Sequence, residues 1–536
     1  MGSYSFSPQV VTQCSGSNDT GCQEKMTVTD GAGNYVTYLL TLNNGAWNSQ
    51  MDYYNQGGAH LLRTTTNYNF SADNSYIAAQ SQTTTLEDTG QTAQTVYSYY
   101  SSVVPKVTSE KEWDYYTGSP SATPTRETDF TYGYVINGAH LLTQRVLKDS
   151  SGNTVTQSTY NHDSNGNVLS VVSGTGSAQV TTYATYDSNG MVQSTKDGNG
   201  NTTTYTYTCS DAYPTTVSYP VIVSGQHLET ETGYDCSTGL VTWTKDMNGV
   251  VQNESTTYSY FTSGSDIGQL HVVTRPDTGT TTYSYPSTTE TDTSVAQTSS
   301  MNVISKAIMD AFGRPYQTVQ SAPEGSISSE TTYDATGRPE CVTTAHLQGT
   351  SSSTDGSTCT SYDVLGRQTK VTMPDGNFVT RSYYGNTVTV TDELSHLKKY
   401  TYDAFQQLTS VLEPNASGTL AYETDYQYDA LGDLTRVDQW GGAKGSAGDR
   451  VRLFAYDSLG RKIAESVPEE QSAGTPGSRT CSGASGSTWT KCYAYDGNGN
   501  VLTITDNSGQ AISYTYDPLD RVKSVNYPGK TYGASD

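Results

Sequence analysis

The sequence contains no run of about 18 apolar residues, so no helical membrane span is expected. No HExxH pair, CxxC pair or GxSxG elbow occurs, which removes the common zinc, thioredoxin-like and serine-hydrolase frameworks. Phe and Trp are scarce, with 8 and 5 copies in 536 residues. Hydrophobic residues make up only 33% and charged residues 15%, which fits neither a large aliphatic core nor a charge-rich disordered chain. Basic residues are outnumbered 53 to 29, and a net charge of −24 repels phosphate backbones and anionic lipids. Nucleic acid is therefore not an expected partner, and the acidity is read as solubility. The start, Met1-Gly2-Ser3-Tyr4, has neither the basic nor the apolar region of a secretion signal, so export would need a signal removed or lying upstream.

Tyr is abundant, with 43 copies, alongside 50 Gly and many Thr, Ser and Asn. Tyr and Thr favour strands, and Gly and Asn favour tight turns, so the composition predicts an all-β chain.

Repetition supports this reading. Tyr-Asp recurs at units of about 20–30 residues with longer excursions. Many copies continue as Asp-x-x-Gly: Tyr186-Asp187 with Gly190, Tyr333-Asp334 with Gly337, Tyr362-Asp363 with Gly366, Tyr428-Asp429 with Gly432, Tyr456-Asp457 with Gly460, and Tyr495-Asp496 with Gly499. Asp-x-x-Gly occurs fourteen times in all, including at Asp246 and Asp438. Asp suits the first position of a type I turn and Gly the fourth. Period-two patterns flank the turns, as in Tyr205-Thr206-Tyr207 and Val168-Leu169-Ser170-Val171. Antiparallel β-hairpin repeats follow, with strands of about 6 residues that stack into a long twisted sheet. Residues 1–129 carry degenerate copies and 130–536 the regular array, as one continuous β-structure. Gln406 and Asp520 replace the turn glycine in two copies, and the Ser/Gly-rich stretch 471–488 reads as an exposed insertion.

The eight cysteines fall into four neighbouring pairs, Cys14/Cys22, Cys209/Cys236, Cys341/Cys359 and Cys481/Cys492. Four local disulfides and an oxidising, extracellular or cell-surface location are expected. Asp197-Gly198-Asn199-Gly200-Asn201 and Asp496-Gly497-Asn498-Gly499-Asn500 resemble the opening of a calcium loop, with oxygen ligands at alternate positions. Both lack the loop's sixth-position Gly and twelfth-position Glu, so turn formation is the stronger reading and calcium the weaker. His60 and His140 occupy equivalent places in Gly-Ala-His-Leu-Leu segments, which favours packing over ligation. No cofactor and no catalytic group are expected. Arg314, Arg338, Arg367 and Arg461 end Asp-x-x-Gly-Arg turns and can pair with carboxylates nearby.

The pattern Tyr-x-Tyr-Asp-x-x-Gly-Arg/Asn, as in Tyr426-Gln427-Tyr428-Asp429-Ala430-Leu431-Gly432, resembles the YD-repeat, or RHS-repeat, family. That resemblance implies a β-sheet spiralling into a hollow shell or cocoon. Bacterial members enclose a C-terminal toxin, and teneurins display a similar barrel for adhesion. No counterpart of the bacterial self-cleaving aspartyl segment is recognisable before Asp536. The expected function is a non-catalytic scaffold whose partner is a C-terminal toxin or other cargo outside this sequence. The alternative is a surface adhesin that binds glycans or proteins, and an enzyme assembled from distant repeats ranks third.

Overall fold

In the computed structural model the described residues run from 5 to 533, apart from 11–21, 32, 43–45, 71–76, 101–105, 137, 223–227, 299–300, 350–355, 471–479, 487 and 529. They hold forty-two strands in one continuous antiparallel sheet. Strands pair with their neighbours in the chain, so the sheet is a single long meander. At one point Pro339–Thr343 pairs with Ser357–Tyr362, while His346–Leu347 folds back onto Gly325–Tyr333. Among the described residues, Ser5–Val10 pairs only with Cys22–Thr29, and Lys530–Gly533 only with Val522–Tyr527. The sheet therefore does not close strand to strand.

Strand length changes along the chain. His60–Phe70, Lys106–Tyr116, Arg126–Ile136 and Ala139–Asp149 have 11 residues each, whereas Val192–Lys196 and Val501–Thr505 have 5. The predicted length of about six suits the later array. Residue 129 lies inside Arg126–Ile136, which pairs on both sides, so the sheet runs through that position unbroken.

The wall is one layer thick. A globular protein of 57.7 kDa exposes about 18,800 Å², but this chain exposes 29420 Å², about 1.6 times as much. Only eight hydrophobic residues are buried among those described. Burial alternates gently instead: Tyr205 and Tyr207 are half-buried and Thr206 between them is exposed, and Tyr514, Thr515 and Tyr516 repeat the pattern.

Three sequence expectations need correction. Asp246 does not open a turn. Its Oδ1 accepts the Gly249 N–H at 2.6 Å and caps the helix Met247–Gln252. Asp-x-x-Gly spacing serves both structures because in each the Asp side chain accepts from backbone just ahead. Asp438 sits in the strand Leu434–Gln439, 3% exposed, with its carboxylate held by Arg436 at 2.7 Å. The described end of the 471–488 insertion is not exposed throughout: Cys481 is buried and, with Trp489 just after the stretch, packs on Ala464 as a small core, because the indole ring there can cover one face of the sheet.

Disulfides join Cys209–Cys236, Cys341–Cys359 and Cys481–Cys492 as expected. Cys341 and Cys359 are direct cross-strand partners. The Cys14/Cys22 bridge is not among these, because Cys14 lies outside the described residues.

Candidate functional site

In a repeat wall the working parts are the turns, since they hold the strands together and meet the next coil. Asp187 shows the unit. Its Oδ1 accepts the N–H groups of Asn189 at 2.8 Å and Met191 at 2.9 Å. Its backbone N–H donates to Met191 O, and Gly190 N–H donates to Asp187 O. Gly190 has φ 85°, so the type I turn closes through a left-handed bulge, and the sheet register slips at Tyr186. The same carboxylate geometry recurs at Asp334, Asp363, Asp429, Asp457 and Asp496. Gly337, Gly366, Gly432, Gly460 and Gly499 are all left-handed there. Gln406 and Asp520 hold φ 66° and 61° in the two copies without glycine, so the carboxylate bonds impose the bulge even where a side chain opposes it.

The residue after the glycine completes the turn. Asn201 and Asn500 donate Nδ2 to Oδ2 of Asp197 and Asp496, at 3.1 and 2.9 Å. Arg338 and Arg367 donate Nε to Asp334 and Asp363, both at 2.7 Å, and Arg314 and Arg461 pair likewise with Asp310 and Asp457. Each arginine also lies over the tyrosine of the following unit: Arg314 over Tyr333 at 4.2 Å, Arg338 over Tyr362 at 4.6 Å, Arg461 over Tyr495 at 5.1 Å.

The tyrosine before Asp is a latch. Tyr186 donates its hydroxyl to Val168 O at 3.0 Å, Tyr333 to Pro315 O at 2.7 Å and Tyr362 to Pro339 O at 3.0 Å. Tyr428, Tyr495 and Tyr516 reach Leu408, Lys462 and Val501 in the same way. Every acceptor is the first residue after the preceding turn on the same edge of the sheet. Tyr456 is half-buried, and burial together with Asp433 and Asp429 pushes its hydroxyl up. The tyrosine satisfies a carbonyl at the strand end while its ring covers the sheet, which explains why Tyr rather than Phe recurs.

These turns also build a seam. Gly385 N–H donates to Asp88 Oδ2 at 2.8 Å, and Ala404 N–H to Asp114 Oδ1 at 2.8 Å. Thr175 N–H donates to Ser458 Oγ at 2.7 Å. Asn199 Nδ2 donates to Asp496 Oδ2 at 2.9 Å and Asn498 Nδ2 to Asp197 Oδ2 at 2.8 Å. The contacts advance in the same order on both sides, and their sequence separations stay between 283 and 301. A near-constant offset is the mark of winding: the sheet returns upon itself after about one coil of that length. Turn-tip side chains fill the joint, with Leu459 against Gly174 and the Arg126 guanidinium 4.2 Å from the Phe405 ring.

Electrostatics along the seam are mixed. Burial alone would raise the Asp496 carboxyl, but the amides of Asn500 and Asn199 outweigh it and hold the carboxyl below the usual range. Burial, with Asp114 opposite, pushes Asp403 up. Burial with Asp429 and Asp457 nearby pushes Asp433 up, and its Oδ2 has no hydrogen-bond partner.

The six calcium candidates meet here. Asp197, Asn199 and Asn201 face Asp496, Asn498 and Asn500, and the two turns bond reciprocally. Each Asp uses Oδ1 for its own backbone and Oδ2 for asparagine amides, so protein donors already occupy the oxygens a cation would take. Among the described residues one grouping has metal-ligating types within 4.8 Å: Asp52, His60 and Glu87. Arg63 lies 2.7 Å from Asp52 and 3.4 Å from Glu87, so a cation of the chain's own already bridges both carboxylates. His60 stacks on Tyr54 at 4.5 Å and His140 against Tyr100 at 4.9 Å, each packed on a tyrosine.

Sequence reasoning missed the seam and the latch. The two identical Asp-Gly-Asn-Gly-Asn segments were the available signal: a Cβ on Gly198 would lie 2.1 Å from Gly497 O, and one on Gly497 would lie 2.2 Å from Gly198 O.

Residues 495–532 match the family model for the RHS repeat. No curated protein matches the chain. Among solved structures the chain is similar to TcdB2-TccC3-TEV, with a TM-score of 0.61 at 9% identity, over 99% of this chain and 46% of that one. It is also similar to TcdB2-TccC3, with a TM-score of 0.57 at 9% identity, over 99% and 43%. The chain thus spans less than half the length of these proteins, and the likeness is one of fold. Residues 495–532 thus carry an RHS repeat, and the chain as a whole shares the fold of these two structures.

Proposed function

We propose that the chain is a non-catalytic, extracellular wall, a shell or part of one, that encloses a polypeptide cargo borne C-terminal to it in a longer protein. The observation that carries this reading is the seam, where one single-layered sheet winds round and docks its turns onto its own earlier edge. A one-layer wall that closes sideways surrounds space instead of filling it, in keeping with the excess exposed area. One similar structure is described as TcdB2-TccC3 without its hypervariable C-terminal region, which supports looking for cargo at that end. Disulfides support an oxidising compartment.

The test is to append a protease-sensitive reporter domain after Asp536 and to compare its digestion with that of the free reporter. Enclosure predicts strong protection and extra density inside a hollow particle by electron microscopy. Digestion at the free rate, with the reporter outside the wall, contradicts it.

A further inference from the structure

Lys245 ends the strand Val241–Lys245 and is the direct cross-strand partner of Glu231. Its Nζ lies 3.2 Å from Glu231 Oε2 and 3.0 Å from Asn253 Oδ1, with the Trp243 ring 5.2 Å away. The Lys245 side chain is only 19% exposed. Asn253 caps the C-terminus of the one α-helix among the described residues, Met247–Gln252, which stands where most hairpins have a five-residue turn. The helix is short and tightly folded: a Cβ on Gly249 would lie 2.4 Å from Glu254 O. It ends with Asn253 in the left-handed region, φ 55°, which returns the amide to the strand it left. The Lys245 amine thus has the Glu231 carboxylate and the amide oxygen of the exposed Asn253 both within hydrogen-bond range.

We propose that Lys245 and Asn253 join in an intramolecular isopeptide bond, with Glu231 as the proton carrier. The Lys245 ammonium passes a proton to Glu231 Oε2, and the freed Nζ lone pair attacks Asn253 Cγ. The new N–C bond forms, Glu231 returns its proton to Nδ2 and relays a second one there from Nζ, and the Cγ–Nδ2 bond breaks. Ammonium leaves and the Glu231 carboxylate is restored. Ammonium plus primary amide becomes secondary amide plus ammonium, with no change of oxidation state. Held proximity supplies the drive that free lysine and asparagine lack. The bond would staple the helix to the sheet, on the opposite edge from the Cys209–Cys236 disulfide.

Mass spectrometry of the whole purified chain tests this. The expected mass is below the sequence mass by one ammonia, beyond the hydrogens lost at disulfides. After trypsin, the peptide spanning Lys245 should stay uncut, and fragmentation should link positions 245 and 253. Glu231→Gln and, independently, Lys245→Arg should each retain the ammonia while keeping the wild-type circular dichroism. Tryptic cleavage after Lys245 in the wild-type chain, with its full mass, overturns the proposal. So does an ammonia loss that persists in Glu231→Gln or leaves Lys245 cleavable, since that is a succinimide at asparagine. The wild-type map decides the matter even if a variant fails to fold.

Discussion

Asn199 and Asn498, 299 residues apart, are mutual partners: the Asn199 N–H donates to Asn498 Oδ1 at 3.0 Å, and each side-chain amide reaches the aspartate of the other's turn. The exchange is possible because Gly198 and Gly497 let the two backbones touch. Neither glycine is left-handed; closeness alone requires them. Gly497→Ala is therefore expected to destabilise the seam by about 1–3 kcal/mol, as overpacking does. Gly57→Ala, whose Cβ would meet only Asn55 Oδ1 at 3.4 Å, should do little. Chemical denaturation of the two variants checks the contrast.

The tyrosine latch is testable by removing one oxygen. Tyr428→Phe and Tyr516→Phe leave the carbonyls of Leu408 and Val501 without their donors, at a cost of roughly 0.5–1.5 kcal/mol each. Tyr183→Phe, at a side chain 50% exposed, should be close to neutral. Equal effects at all three sites would remove the latch from the account.

Asp433 occupies the turn position where Asn153, Asn167, Asn201 and Asn500 donate to their own aspartates. Its carboxyl is raised in the fold, so its protonated form favours folding, and that stability is lost as pH rises through the folded value. Asp433→Asn is expected to stabilise the chain at pH 7 by roughly 0.5–1.5 kcal/mol, by donating to Asp429. The gain should shrink on acidification toward the ordinary carboxylate range. Asp496 behaves oppositely: its carboxyl is lowered, so its contribution is present above the unfolded value and fades as pH falls through the folded one. Thermal melts of Asp433→Asn, of Asp496→Asn and of wild type, from neutral to acid, check both signs.

Much of this was legible in the sequence because it is local. A turn of five residues contains its own carboxylate acceptor, its own glycine and its own Asn or Arg clamp, so spacing alone exposes it. Cysteines 341 and 359 were readable for the same reason, one hairpin apart. The helix after Asp246 was missed because a cap and a turn begin with the same spacing. The seam was missed because its partners are nearly 300 residues apart and belong to turns that each look complete alone. Cys481 was hidden within a Ser/Gly-rich stretch whose composition signals exposure, and its partner Trp489 directly follows that stretch.

Removing the Cys209–Cys236 disulfide, which closes a separation of 27 residues, should cost about 3–4 kcal/mol on loop entropy. Native material alkylated without reductant should show no reactive thiols at these positions. Free thiols throughout would contradict both the bridges and the oxidising location.

The sheet coils back and meets itself after nearly 300 residues. Thr175 and Ser458 touch across that joint, with the Thr175 N–H 2.7 Å from Ser458 Oγ. A Thr175→Cys, Ser458→Cys pair should therefore form a disulfide under mild oxidation, seen as a peptide linking the two coils after digestion. No link between these positions, together with an extended rod in small-angle scattering, would contradict the coiled wall.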